Sequence, residues 1–346
     1  MYLSDRKPNF RPVKPRSNLY RVMILLVLIG MGYYIVQGVW VRQDIEPLFL
    51  PTPTPTRTAN SYELEGDTQF TAGNLDAAIA AYQEATRLEP NNGELWSRLA
   101  RIQTYSSNSM TTSKDQLARL TEAMDSINKA VEVAPDDSEV RAIQAFVLDW
   151  NAVTDLVGAD QAEKYLTQAQ QEAGYALQLD PANTLALAFY AEILVDQQKW
   201  QQAEQYIEQA VQRDDSLMDV HRIYAYVKET SADYEGAIEE YKKAAEIMPN
   251  LTFLYIKIGV TYRHLEQYDL ALEYFAKAAD INTQLGVKDP LPYISIAKTY
   301  SQMPSADFFA AALNIKKALY LDPTNPNTYG QLGIIYDHGR NFEGSV

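Results

Sequence analysis

Two columns of alanine, seven residues apart, fix what this chain can fold into. The first runs Ala78, Ala123, Ala169, Ala203, Ala237, Ala271 and Ala311. The second runs Ala85, Ala130, Ala176, Ala210, Ala244, Ala278 and Ala318. Seven residues are two helical turns, so each pair shares one helix face, and small side chains there let another helix come close. A third column lies upstream: Gly66, Ala100, Ala145, Ala191, Ala225, Gly259, Ala297 and Gly333. From each first-column alanine to the next third-column residue the distance is 22 in six of seven cases, with 26 between Ala271 and Ala297. A register held this closely marks repeats of one structural unit.

Proline punctuates the repeat. Pro90, Pro135, Pro181, Pro249 and Pro323 each follow a second-column alanine by five residues, where Asp215 and Thr283 stand in the other two units. Proline cannot continue a helix, so these positions end the second helix of a helix–turn–helix unit.

Around the columns, Tyr255, Ile258, Gly259, Tyr262, Ala271 and Phe275 follow the W-x2-L-G-x2-Y, A-x3-F order of a 34-residue unit. Ala237, Tyr241 and Pro249 carry its second half. Trp96, Leu99 and Ala100, and again Tyr329, Leu332, Gly333 and Tyr336, carry its first half. On these residues the chain resembles the tetratricopeptide repeat (TPR) family over residues 59–346. Glu65, Arg141 and Lys298 depart from the pattern at positions that are usually apolar, without breaking its register. The resemblance implies an all-α fold: a right-handed TPR superhelical solenoid of about seven and a half repeats, at 59–92, 93–137, 138–183, 184–217, 218–251, 252–285, 290–325 and a partial 326–346. Each helix pair buries its apolar face only by stacking on its neighbours.

The resemblance also implies a concave groove, lined by the first helix of each unit, that takes an extended or helical peptide. Carried over residue by residue, that face comprises Phe146, Trp150, Leu185, Glu192, Val195, Arg222, Tyr226, Phe253, Ile256, Val260, Arg263 and Ile294. Aromatics with two arginines make a recognition strip. The chaperone-binding subtype needs Lys and Asn on the groove face of its first repeat, where Glu63 and Asp67 stand here, so a clamp for an acidic C-terminal peptide is not expected.

The second and third units are longer than the rest. From the third column to the first is 12 residues in a regular unit, but 23 from Ala100 to Ala123 and 24 from Ala145 to Ala169. The insertions fall in consecutive units, so they are expected to project side by side from one edge. Residues 106–113 (SSNSMTTS) read as a loop, followed by a lengthened helix over 115–133 with Leu117, Leu120, Met124 and Ile127 on one stripe, and by its counterpart over 160–179. A lobe of paired, elongated helices at 103–170 would serve partner binding or self-association. At the other end, the next first-column position is Ser345, so the sequence stops as the second helix of an eighth unit begins. Either the chain is truncated there or its last helix is a cap.

Upstream of the repeats, Val22 to Val41 is 20 residues with Gln37 as its one polar side chain, bracketed by Arg21 and Arg42. A helix of that length spans roughly 30 Å, the thickness of a bilayer core. It is read as a transmembrane helix, residues 22–41; a cleaved signal peptide is the rival reading. Residues 1–21 form a basic tail of net charge +5, which leaves −20 on the remainder out of −15 overall. The positive-inside rule then places the N-terminus in the cytoplasm and the body across the membrane. Residues 42–58, with Pro47, Pro51, Pro53 and Pro55, form an extended Pro/Thr-rich spacer.

Composition excludes several chemistries. The chain has no cysteine, which removes disulfides, thiolate nucleophiles and thiolate metal sites. An acidic body repels phosphate, so no nucleic acid is expected as a partner. The three histidines, His221, His264 and His338, show no metal-ligand spacing and are read as surface or groove residues. Asp136-Asp137 and Asp214-Asp215 sit between units and read as caps. No catalytic residue, cofactor-binding residue or metal ligand is assigned. The expectation is a non-enzymatic, membrane-anchored scaffold or adaptor that holds a protein or peptide in its groove, with self-association as a further possibility. The alternative is the accessory substrate-binding region of a larger envelope enzyme or secretion machine, such as a TPR-containing glycosyltransferase.

Overall fold

A computed structural model describes residues 18–38, 57–154 and 156–343. They fall in two separate units, one up to Thr56 and one from Arg57 onward. The described part of the first is a single helix, α1 (Leu19–Val36), with Asn18 capping its N-terminus through the Tyr20 amide. None of its residues is buried, and its mean hydropathy is 2.0 over 18 residues. It is long and apolar enough to cross a membrane. The basic tail and the proline spacer lie outside the described residues, save Asn18 to Arg21 and Arg57 to Thr58.

The second unit is helical throughout its described residues. Its helices pair as α2 (Ala59–Thr71) with α3 (Leu75–Leu88), α4 (Gly93–Ser106) with α5 (Ser113–Val133), and α6 (Ser138–Ala152) with α7 (Ala159–Leu179). Next come α8 (Thr184–Asp196) with α9 (Trp200–Arg213), α10 (Met218–Thr230) with α11 (Tyr234–Ile247), and α12 (Thr252–His264) with α13 (Tyr268–Leu285). Last are α14 (Leu291–Gln302) with α15 (Phe308–Leu321), and then α16 (Pro326–Glu343).

The small-residue columns sit where these helices touch. All fourteen alanines of the first two columns are fully buried. At two third-column positions even a methyl group is too large. A Cβ on Gly66 would lie 2.4 Å from the Tyr82 ring, and one on Gly259 would lie 2.5 Å from the Phe275 ring. In both units the aromatic four residues after the first-column alanine fills that space. Gly333 differs: it is exposed, with nothing near it.

Helix ends follow local chemistry. Six of the seven second helices stop three residues after the second-column alanine. That holds at α9 without a proline, because Asp214 turns the chain by accepting from the Ser216 amide and hydroxyl. Helix α13 runs on to Leu285, where Gly286 closes it in the left-handed conformation. Asp137 caps α6 through the amides of Glu139 and Val140.

The turn inside each regular unit is tight and uses one residue of positive φ: Gly73, Gln198, Ala232 and Glu266. All four lie seven residues after the third column. In the second unit the corresponding residue, Ser107, is right-handed, and the chain continues through a short 3-10 turn over Ser107–Ser109. The insertion thus replaces the left-handed turn.

The insertions do not project from an edge. Ser106 and Ser107 are buried, the Thr111 hydroxyl donates to Asp322, and Asn325 donates to the Thr111 carbonyl at 2.9 Å. The loop is folded inward and joins the second unit to the seventh. Helices α5 and α7 are elongated to 21 residues each, and the loop before α5 turns toward the interior. On this stripe Leu120 and Ile127 are buried, Met124 is half-buried, and Leu117 is exposed.

Candidate binding cavity on the inner face

The first helices α6, α8, α10 and α12 present residues at i, i+3 and i+4 to a common inner face. From α6 come Phe146, Asp149 and Trp150; from α8, Glu192 and Asp196; from α10, Asp219, Arg222 and Tyr226; from α12, Phe253 and Lys257. Helix α4 lies across this face. Its Tyr105 ring packs 5.2 Å from Phe146, 5.6 Å edge-on to Trp150, and stacked at 5.5 Å on Phe253. Arg101, one turn away, pairs with Asp219, which also accepts the Tyr105 hydroxyl. The second unit therefore fills much of the groove of the third to sixth units, and the array closes on itself.

Behind that contact is a charged network. Arg222 donates to both oxygens of Glu192, at 2.7 and 2.6 Å. Its guanidinium lies 5.6 to 5.8 Å from the ring centres of Tyr105, Phe146 and Trp150, an aromatic cage for a cation. Trp150 Nε1 donates to Glu192 at 3.2 Å, and the Tyr226 hydroxyl donates to Asp196 at 2.6 Å. Arg222 Nε is buried without an acceptor.

Two carboxyls lie beside this network with fewer partners. Asp149 is 1% exposed, and neither of its oxygens receives a hydrogen bond. Burial, then the charges of Asp196 and Glu192, push it well above the ordinary carboxylate range. Asp196 is pushed up to about 6, chiefly by burial, against the opposing Tyr226 hydrogen bond. Asp219 behaves oppositely. Burial would raise it, but Arg101 and Arg222 hold it below the usual range.

Between these groups is a cavity of about 490 Å³, lined by Trp150, Glu192, Asp196, Arg222, Tyr226 and Phe253. Its rim carries Asn108, Ser113 and Gln116 from the first insertion and Val153, Thr154 and Leu156 from the second, with Lys257 opposite. The sequence irregularities thus frame the mouth of the cavity.

Of the residues expected on the groove face, Trp150, Glu192, Arg222, Tyr226 and Phe253 come together here. Phe146 is buried behind them, stacked on Phe189 at 4.6 Å. Val195 belongs to the main hydrophobic core, and Leu185, Ile256 and Val260 are partly buried against it. Ile294 packs instead in a separate C-terminal cluster with Ala297 and Ala311. Arg263 is half-buried over the Phe275 ring, its Nη1 without an acceptor. Asp149, Asp196, Asp219, Arg101, Tyr105 and Lys257 were not anticipated. Helical spacing from Phe146, Glu192, Arg222 and Phe253 points to four of them; Arg101 and Tyr105 reach the face from a distant unit.

His221 corrects the surface reading of the histidines. It is 5% exposed and bridges Glu240 (2.6 Å) and the Asp215 carbonyl (2.8 Å). His264 stacks on Tyr234, and His338 is exposed. Glu63 and Asp67 both bind Arg98, at 3.0 and 3.4 Å. Asn250 caps nothing: the cap of α12 is Leu251, which makes no side-chain bond.

Sequence profiles of the tetratricopeptide repeat match residues 60–102, 191–252 and 254–284. No curated protein matches the chain. Among solved structures, human IFIT1 bound to PPP-AAAA is similar with a TM-score of 0.59 at 14% identity, over 94% of this chain and 78% of that one. The monomeric IFIT1 mutant bound to m7Gppp-AAAA gives 0.61 at 14% identity, over 92% and 70%. A chain of the APC/C hetero-tetramer Cut9–Hcn1 gives 0.50 at 15% identity, over 80% and 55%. At these identities the likeness is one of fold. Tetratricopeptide repeats are thus matched over those three segments, within an all-helical array of helix pairs.

Proposed function

We propose that this protein is a membrane-anchored interaction scaffold that takes a protein or peptide partner at the mouth of its inner cavity. The observation that carries this reading is the cavity itself. It is an aromatic-lined recess of about 490 Å³ in an otherwise self-filled groove, and its rim is built from the two insertions. A partner would insert a side chain or a short loop there, since α4 already occupies the path of a long extended peptide. Helix α1 would be the anchor, with the N-terminus cytoplasmic and the repeats on the other side. IFIT1 is seen with PPP-AAAA, but Glu192 and Asp196 line this cavity, and carboxylates repel phosphate.

Two experiments test the reading. A photo-crosslinking residue at Lys257 or Gln116, in the full chain in its native membrane, should yield one specific adduct. The same residue at Lys129, exposed on α5, should yield none. Adducts at all three positions, or at none, would refute partner capture at the cavity. Deletion of 19–38 should release the protein from membranes; retention there would remove α1 as the anchor.

A further inference from the structure

We infer that the inner cavity is a binding site for a guanidinium group, the side chain of an arginine on the partner, with Asp196 as the counter-charge and Trp150, Tyr226 and Phe253 among its walls. The inference deepens the partner-binding reading above and rests on it for the source of the arginine.

The argument begins with an imbalance. Three carboxyls meet in and behind the cavity, and one internal cation, Arg222, reaches them. Both of its terminal nitrogens are committed to Glu192. Asp196 accepts the Tyr226 hydroxyl, and Arg222 acts on it only through space, without an ion pair among the described residues. Asp149 is almost wholly buried, and both its oxygens lack a donor. A buried carboxyl in that condition is uncommon and calls for an explanation. A cation entering beside Asp196 would offset the carboxyl charge there.

The chemistry of the walls selects the cation. Arg222 shows that this interior accepts a guanidinium: rings flank it at 5.6 to 5.8 Å, and a carboxylate grips it with two hydrogen bonds. The cavity lining offers the same kinds of group again: the Tyr226 and Phe253 side chains, the latter stacked on Tyr105 by one face, and the Asp196 carboxyl, which keeps accepting capacity beyond the Tyr226 hydroxyl. A guanidinium is planar, weakly hydrated and able to fork onto carboxylate oxygens, so it loses less on entering an aromatic recess than an ammonium does. The volume exceeds that of one arginine side chain, and Lys257 at the rim would disfavour a second cation entering beside the first.

The test titrates the full chain, in detergent, with N-acetyl-arginine methylamide and follows Trp fluorescence and heat. The lysine and citrulline analogues serve as comparisons. Expected is saturable one-to-one binding of the arginine amide, roughly millimolar for a ligand of this size. The neutral, isosteric citrulline amide should bind at least about tenfold more weakly, a difference of ~1.4 kcal/mol. This comparison uses the wild-type chain and needs no variant. Asp196→Asn should lose the discrimination between arginine and citrulline, and Lys257→Gln should tighten arginine binding two- to threefold, by about 0.5 kcal/mol. Equal binding of arginine and citrulline amides, no binding of either across the millimolar range, or a preference for the lysine amide would each overturn the inference. If rim crosslinking succeeds and the arginine amide does not bind, the inference fails and the scaffold reading stands. If the amide binds and no partner crosslinks, the site stands and partner capture fails.

Discussion

Replacing Asp219 by alanine tests whether the array is closed upon itself. Asp219 is fully buried on α10 and receives Arg101 and Tyr105 from α4, 118 and 114 residues away in sequence. Removing it strands one guanidinium and one phenol in a dry interface. Breaking a buried ion pair from one side costs about 3–5 kcal/mol. The lower part of that range applies here, because the Arg101 side chain is 20% exposed and recovers some hydration. Tyr105→Phe removes one hydrogen bond to a charged acceptor and keeps the ring stacking, so it should cost about 1.5–3 kcal/mol. The double change Arg101→Met with Asp219→Leu leaves no orphan charge and should recover most of the loss. The assay is urea unfolding of the full chain in detergent, combined with amide hydrogen exchange. Because the pair joins two distant units, exchange after Asp219→Ala must rise at residues 101–112 and 322–325 as well as at 218–226. An unchanged midpoint, or faster exchange confined to α10, would refute the closure.

Further outcomes follow from single contacts. Ala232 is exposed and holds φ 61; Ala232→Gly should stabilise by about 0.5–1 kcal/mol, seen as a higher unfolding midpoint, since glycine meets no steric penalty there. Gly259→Ala places a methyl 2.5 Å from the Phe275 ring and should destabilise by about 1–3 kcal/mol in the same assay, whereas Gly174→Ala, with open space around it, should not. His221 is raised, first by its hydrogen bond to Glu240, with burial opposing. A raised histidine stabilises the fold fully below its unfolded value near 6.5 and loses that contribution as pH rises through its folded value. His221→Gln should therefore flatten the decline in melting temperature above neutral pH.

The repeat was legible because its signal is steric. Alanine and glycine at fixed offsets admit few alternatives to close helix contacts, and proline ends a helix for local reasons. The course of the insertions was not legible from the same reasoning. Residues 106–113 are short, polar and loop-like by composition, yet their backbone and hydroxyls are satisfied inside, by Asp322 and Asn325, more than 200 residues later. The candidate site divides the same way. The face carried over from the family resemblance included Trp150, Glu192, Arg222, Tyr226 and Phe253, which lie on neighbouring first helices. Nothing in it points to Arg101 and Tyr105, whose place depends on how far the superhelix turns. His221 was misjudged because a buried histidine pairing with Glu240 has no periodic signature.

The contact between Thr111 and Asp322 spans 211 residues, and that span has a consequence during synthesis. Chains emerge from the ribosome N-terminus first, at about 5–20 residues per second, so the second unit would wait roughly 10–40 seconds for the seventh. Through that interval α4 and the helices it will cover can pack locally while the clasp has no second half.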